Sequence, residues 1–293
     1  KRMAGIKELL TKNKEKTPPQ WYVNTQGQTF VVIPGPVEFV MGSPKTEKDR
    51  VEIEVQHKRR IGRSFAVASK SVTLAEYRSL TKDKYEIGEK YTHSPDLPVV
   101  GIDWYMAAIY CNLLSKEEGI PEEQWCYEIK GKTPDYVGTR LKDNYLSLTG
   151  YRLPTEAEME FATRAGAGTS RYYGETVELL GNYAWYGKNS GDLLQRVGTK
   201  KPNDFGLFDM HGNCYTWCQE PLDEYPKAEN EKAVEDKEVP KDTLVVNSTH
   251  GYGLRGGSYV NLSSYVRSSF RYSYVPTIQY HGYGFRVART FIP

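Results

Sequence analysis

Two capped helical segments stand in a chain that glycine and proline otherwise break into runs too short for a helix, and this pattern constrains the fold of the 293 residues most. Asp103 precedes the strongly periodic stretch 104–114 and can cap it through its carboxylate. Thr155 and Glu158 have capping-box spacing ahead of a second helix at 157–165, and Thr73 with Glu76 repeats that spacing at a shorter segment. Strand-length apolar runs fall at Thr29–Ile33, Val37–Met41 and 64–69, with an alternating run at 52–56. Pro34-Gly35-Pro36 between the first two reads as the turn of a hairpin. After Gly166, glycine-rich turns and short strands take over, and 244–287 holds little else. The polar stretch 222–242, where Lys and Glu alternate, reads as an exposed insertion. With no repeat at solenoid period, the expectation is a loop-rich α+β domain of two main helices and short antiparallel strands.

Several function classes fall away on charge and motif. Lys and Arg number 39 against 37 Asp and Glu, a net +2, which argues against a nucleic-acid partner held by counterion release. Apolar runs fall short of the ~18 residues of a membrane helix and the N-terminus lacks the apolar stretch of a secretory signal, so no membrane partner and a cytoplasmic location are expected. Residues 1–20 are Lys-rich and carry Met3, Ile6, Leu9 and Leu10 on one helical stripe, giving either a linker or docking helix to an upstream domain or a helix packed on its own domain; 21–293 is then the globular unit. No phosphate-cradling glycine motif follows a strand. The five histidines are scattered, and Cys214 and Cys218 are spaced one residue too far for a zinc knuckle, so the four cysteines read as buried thiols. On these grounds no catalytic residue, no metal site and no cofactor is expected.

Four blocks in fixed order carry a resemblance instead. They are Leu97-Pro98-Val99-Val100-Gly101-Ile102-Asp103-Trp104, Tyr151-Arg152-Leu153-Pro154-Thr155-Glu156-Ala157-Glu158, Gly206-Leu207-Phe208-Asp209-Met210-His211-Gly212-Asn213 with Trp217, and Arg255-Gly256-Gly257-Ser258 with Gly284-Phe285-Arg286. Together they resemble the formylglycine-generating enzyme (sulfatase-modifying factor) family, which implies a variant of the C-type lectin fold over residues 21–293. In the oxidase members the copper-binding cysteines fall at positions that here are Asn261 and Val266, neither able to supply a thiolate, so the resemblance implies a chain that is not an enzyme. At the family's calcium loop Thr216 stands where a carboxylate is common, leaving Asn213 as the candidate Ca2+ ligand. The histidine triad of the ergothioneine-type iron enzymes of this fold is absent.

The window 259–283, between Arg255-Gly256-Gly257-Ser258 and Gly284-Phe285-Arg286, holds six of the chain's 23 tyrosines. Tyrosine with Ser, Gly and Asn is the composition of antibody-like contact surfaces, because the ring gives broad amphipathic contact at low entropy cost. Lys, Glu, Gln, Met and Trp make up 66 of 293 residues, yet only Gln279 represents them here. Those are the residues that codons ending in a pyrimidine cannot encode. The window therefore resembles the variable region of proteins diversified by retroelements, which lies in the same lectin-type fold. On that resemblance the ligand-binding residues are Tyr259, Val260, Asn261, Leu262, Tyr265, Phe270, Tyr272, Ser273, Tyr274, Ile278, Tyr280, His281 and Tyr283, with Val266, Arg267, Arg271, Val275 and Pro276 as fixed scaffold between them. The implied partner is a protein or other macromolecule. Three alternatives stay open: a turn-rich segment that is tyrosine-rich by lineage, an oxidase working through an unrecognised site at Cys214 or Cys218, and a non-diversified sensor domain of a kinase-linked signalling protein.

Overall fold

The computed structural model describes residues 20–82, 94–131, 136–225 and 232–292. The helix expected within residues 1–20 lies almost wholly outside them. Helix α1 is Leu74–Thr81, α2 is Trp104–Glu117 and α3 is Glu156–Arg164. The two Thr caps each form the full reciprocal box with the glutamate three residues on, and the Asp103 carboxylate accepts from the Met106 N–H at 2.8 Å. Helix α2 is buried on nearly every side, so it forms the spine of the core.

In chain order the strands are β1 Trp21–Val23, β2 Thr29–Ile33, β3 Val37–Met41, β4 His57–Ile61, β5 Phe65–Ala68, β6 Tyr127–Glu128, β7 Arg140–Leu141, β8 Tyr151–Arg152, β9 Tyr215–Pro221, β10 Val234–Glu235, β11 Tyr252–Arg255, β12 Arg271–Tyr274, β13 Tyr283–Gly284 and β14 Ala288–Thr290. A five-stranded sheet runs β1-β2-β5-β14-β8, and a four-stranded one runs β12-β11-β9-β13. Pairing is antiparallel in both except between β13 and β9. The expected α+β class holds, and the shorter Thr73-capped segment forms helix α1 beside the two main helices.

Two local expectations change and a third holds in part. Strands β2 and β3 do not pair as a hairpin: β2 lies between β1 and β5, whereas β3 pairs with β4 in another sheet. Prolines on both sides of Gly35 fix φ near −65° and do not suit the tight turn of a two-residue hairpin. Gly35 instead passes so close to Arg63 that a Cβ would stand 2.1 Å from its carbonyl oxygen. The alternating run at 52–56 contributes only a bridge, Val55 to Ser43, and the strand is β4, directly after it. The described part of the polar stretch 222–242 is largely exposed as expected, but it is tied down: β10 pairs with β4, and buried Asp236 accepts from Arg59 and Arg63 at 3.2 and 2.6 Å.

Residues of the four blocks serve as joints. Trp104 and Trp217 are fully buried and their indole N–H groups cross, Trp104 donating to the Cys218 carbonyl and Trp217 to that of Ile102, each at 2.9 Å. Arg152 grips Glu158 with two nitrogens at 2.6 and 2.7 Å, and Arg286 donates to the carbonyls of Ala68 and Phe208 at 2.6 Å each. Arginine suits these places because its planar fork satisfies several acceptors at once.

Candidate ligand-binding site

The C-terminal window is built as alternating anchors and displayed rings. Along β12 successive side chains point to opposite faces. Arg271 turns inward, where its Nε and Nη2 meet the two carboxylate oxygens of Glu156 at 2.6 and 2.7 Å; Tyr272 and Tyr274 turn outward. Arg267 is likewise buried, with Nη1 and Nη2 on the Glu54 carboxylate at 2.8 and 2.6 Å. Val266 and Pro276 are buried and Val275 half-buried. The residues read as fixed scaffold are therefore the ones that tie the window to the body.

Two further loops complete the site. After β11 the chain turns through Gly257 at φ +79°, where a Cβ would press on the Tyr265 carbonyl oxygen at 3.1 Å. Asn261 closes this turn by accepting from the N–H and hydroxyl of Ser258 at 2.7 and 2.8 Å. On the other side Tyr280 offers its carbonyl to the Gly101 N–H at 3.1 Å, and Tyr283 pairs with Tyr215 across the β13–β9 ladder.

Between these loops lies a cavity of about 430 Å3 lined by Tyr215, Ser258, Val260, Asn261, Tyr265, Tyr272, Tyr274, Ile278, Tyr280 and Tyr283. Tyr265, Tyr272, Tyr274 and Tyr280 are 38–43% exposed, so each ring is half packed and half wet. Tyr283 is buried at the cavity floor, with the Tyr280 ring centroid 4.9 Å and the Tyr215 centroid 5.8 Å away. Burial first, and the neighbouring tyrosines second, push the Tyr215 and Tyr283 hydroxyls above the ordinary phenol range, so both stay neutral.

Eight of the thirteen residues expected from the sequence line this cavity; Tyr259, Leu262, Phe270, Ser273 and His281 do not. Tyr259 and Phe270 are buried at 7% and 5%, which corrects their place on a displayed face. Phe270 supports the face by packing edge-on against Tyr265 at 5.0 Å, and the Tyr259 hydroxyl meets His281 Nδ1 at 2.8 Å. Leu262 stands outside the cavity, 69% exposed. Tyr215 and Ser258 were missed because they lie outside the window. The signal for Tyr215 was its two-residue offset from Trp217 in a strand, which puts both rings on one face. A larger cavity of about 530 Å3, between Val31, Ile33, Phe205 and Phe208, contains none of the expected residues.

The positions of the family's cysteines are structural here. Asn261 is the turn-closing residue just described, and Val266 is fully buried. Burial pushes the Cys126 and Cys214 thiols up to about 12 and those of Cys111 and Cys218 well above their usual range, which disfavours thiolate at all four. The Asn213 carboxamide is committed to the Gln195 backbone, accepting from its N–H at 3.0 Å and donating to its carbonyl at 2.9 Å. Among the described residues no three His, Cys, Asp or Glu side chains are grouped to hold a metal ion.

The model of the sulfatase-modifying factor enzyme 1-like domain matches residues 14–291. The chain belongs to that family. Its relatives in the family differ in extent: it is 27% identical to the formylglycine-generating enzyme of Streptomyces coelicolor, with 90% of each chain covered. It is 28% identical to the chaperone protein LppX of Paenibacillus barcinonensis over 52% of this chain and 65% of that one, and 33% identical to the serine/threonine-protein kinase pkn1 of Chlamydia pneumoniae over 50% of this chain and 22% of the kinase. The chain thus spans less than two thirds of the length of these last two. Among solved structures, Treponema denticola variable protein 1 superposes with a TM-score of 0.76 at 24% identity, covering 93% of this chain and all of that one. PvdO from Pseudomonas aeruginosa superposes with 0.70 at 22% identity, covering 94% and 99%. Both likenesses establish the fold, the lectin-type scaffold of the sulfatase-modifying factor family.

Proposed function

We propose that the chain is a non-catalytic recognition protein that uses the tyrosine-lined cavity to hold a macromolecular ligand, and that its C-terminal window is diversified. The single observation that carries this reading is the division of labour within 259–283. Anchoring groups, Arg267 and Arg271 above all, are buried in two-oxygen ion pairs, while Tyr265, Tyr272, Tyr274 and Tyr280 keep 38–43% of their surface in solvent. Such a surface can change its side chains without losing its backbone, and aromatic anchors of this kind dominate interface energies. The fold shared with a variable protein supports the same reading.

A second reading is favoured by one observation, the match to a quarter or less of a protein kinase: the chain is a fixed sensor domain of a longer signalling protein. The DNA flanking the gene separates the two. An adjacent reverse transcriptase with an adenine-rich near-copy of the last ~120 bases, the span a 25-residue window and its flank occupy, belongs to the first reading; an upstream kinase frame alone belongs to the second. The oxidase reading has little support, since the cysteines it needs are buried thiols outside any cavity described above.

A further inference from the structure

Six tyrosines share the wall of the 430 Å3 cavity, and no lysine, arginine, aspartate or glutamate lines it. The rings around Tyr283 are not a flat stack. Those of Tyr280, Tyr215, Tyr274 and Tyr272 are inclined to it by 50°, 87°, 49° and 60° at centroid distances of 4.9, 5.8, 6.3 and 6.4 Å. Rings set at such angles turn both faces and edges toward one space. Their faces carry negative charge density, which attracts a cation without any ion pair, and their phenol oxygens accept from N–H donors.

Resting on the recognition reading above, we propose that this cavity seats an arginine side chain presented by a partner protein. A carboxylate or phosphate finds no cation in the wall to balance its charge and is repelled by the ring faces. An aliphatic side chain leaves the phenol oxygens without donors as it excludes their water, which costs free energy. A guanidinium lies flat on a ring and offers five donors at its rim, so it satisfies faces and oxygens together. The source is a protein surface because Val260, which lines the cavity, and Leu262 two residues on are 36% and 69% exposed, apolar surface suited to a partner's own apolar side chains. The same chain already places a guanidinium 3.5 Å over a tyrosine ring, Arg271 over Tyr225, inside its own core.

The test uses the whole chain and two capped pentapeptides, one with arginine between two leucines and one with citrulline, which keeps the shape and removes the charge. Titrations are followed by tyrosine fluorescence and by NMR. Binding of the arginine peptide with Kd of about 1 mM or tighter is expected, with citrulline about fivefold weaker or more. Tyr274→Phe and Tyr280→Phe keep the ring faces and lose one phenol acceptor each, so each should weaken binding by less than the roughly fivefold expected of Tyr274→Leu and Tyr280→Leu, with unfolding midpoints unchanged as the folding control. Equal affinity for both peptides, lost on Tyr→Leu, overturns the arginine assignment and leaves the recognition reading standing. Absence of saturable binding by the arginine peptide overturns the assignment, as does choline binding more tightly than the peptide, which would make the ligand a small cation. Indifference of every probe to the Leu variants overturns the assignment and the site together.

Discussion

Arg271 reaches from the most exposed strand of the four-stranded sheet to the first turn of α3, where its fork closes on both oxygens of Glu156. Burial alone would raise the Glu156 carboxyl; Arg271 and then Arg255 beside it more than offset this and hold it below the usual range. This ion pair, with the β11 ladder, anchors the strand that displays Tyr272 and Tyr274.

Removing one side of that pair should be far more costly than removing a displayed ring. Arg271→Leu leaves Glu156 buried with a weaker partner, and urea unfolding should show a loss of about 3–5 kcal/mol. Tyr272→Ala should cost about 1 kcal/mol or less, since its ring is half exposed. Similar losses for the two variants would mean that β12 is not divided into an anchoring and a displaying face.

A pH effect follows from Glu220, whose Oε1 accepts from the Glu156 N–H at 2.7 Å while its Oε2 is buried without a partner. Burial, then the charge of Asp236, pushes its carboxyl from 4.5 up to about 8. The native state thus keeps a proton that the unfolded chain releases, so this contribution is complete below the unfolded value and is lost as pH rises through about 8. Thermal unfolding midpoints should fall as the buffer goes from about pH 6 to about pH 9, and Glu220→Gln, neutral at every pH, should flatten the fall and gain about 1 kcal/mol or more at the alkaline end. Parallel curves for the two proteins would remove Glu220 as the source.

Thiol chemistry offers an independent check on the oxidase alternative. With all four cysteines buried and their thiols shifted upward, iodoacetamide at neutral pH should leave the native chain unlabelled over hours and label it fully in denaturant, as mass spectrometry would read. Rapid native labelling of Cys214 or Cys218 would revive a redox site.

Much of this was legible in the sequence where one residue type had one job. The caps of α1, α2 and α3 follow from Thr73, Asp103 and Thr155 because a short side-chain oxygen ahead of a periodic run has few other uses. The joints at Arg152 and Arg286 stood in blocks whose family resemblance carried the fold. What was illegible depended on partners distant in the chain. Sending β2 and β3 to different sheets depends on Arg63 passing Gly35, the pinning of Asp236 depends on Arg59 and Arg63, and neither approach leaves a local pattern. In the site, composition located the tyrosines but could not tell the displayed Tyr265 from the buried Tyr259. Nor could it bring in Tyr215, which joins Tyr283 only through strand pairing.

The most direct measurement is the affinity of a ligand selected against the whole chain from a displayed protein library, compared between the native sequence and Tyr272→Ala/Tyr274→Ala. Recognition at the cavity predicts a loss of about 2 kcal/mol or more, roughly thirtyfold in Kd, with the unfolding midpoint nearly unchanged. Unaltered affinity in a folded double variant, reproduced across independently selected ligands, would contradict the assignment of this surface.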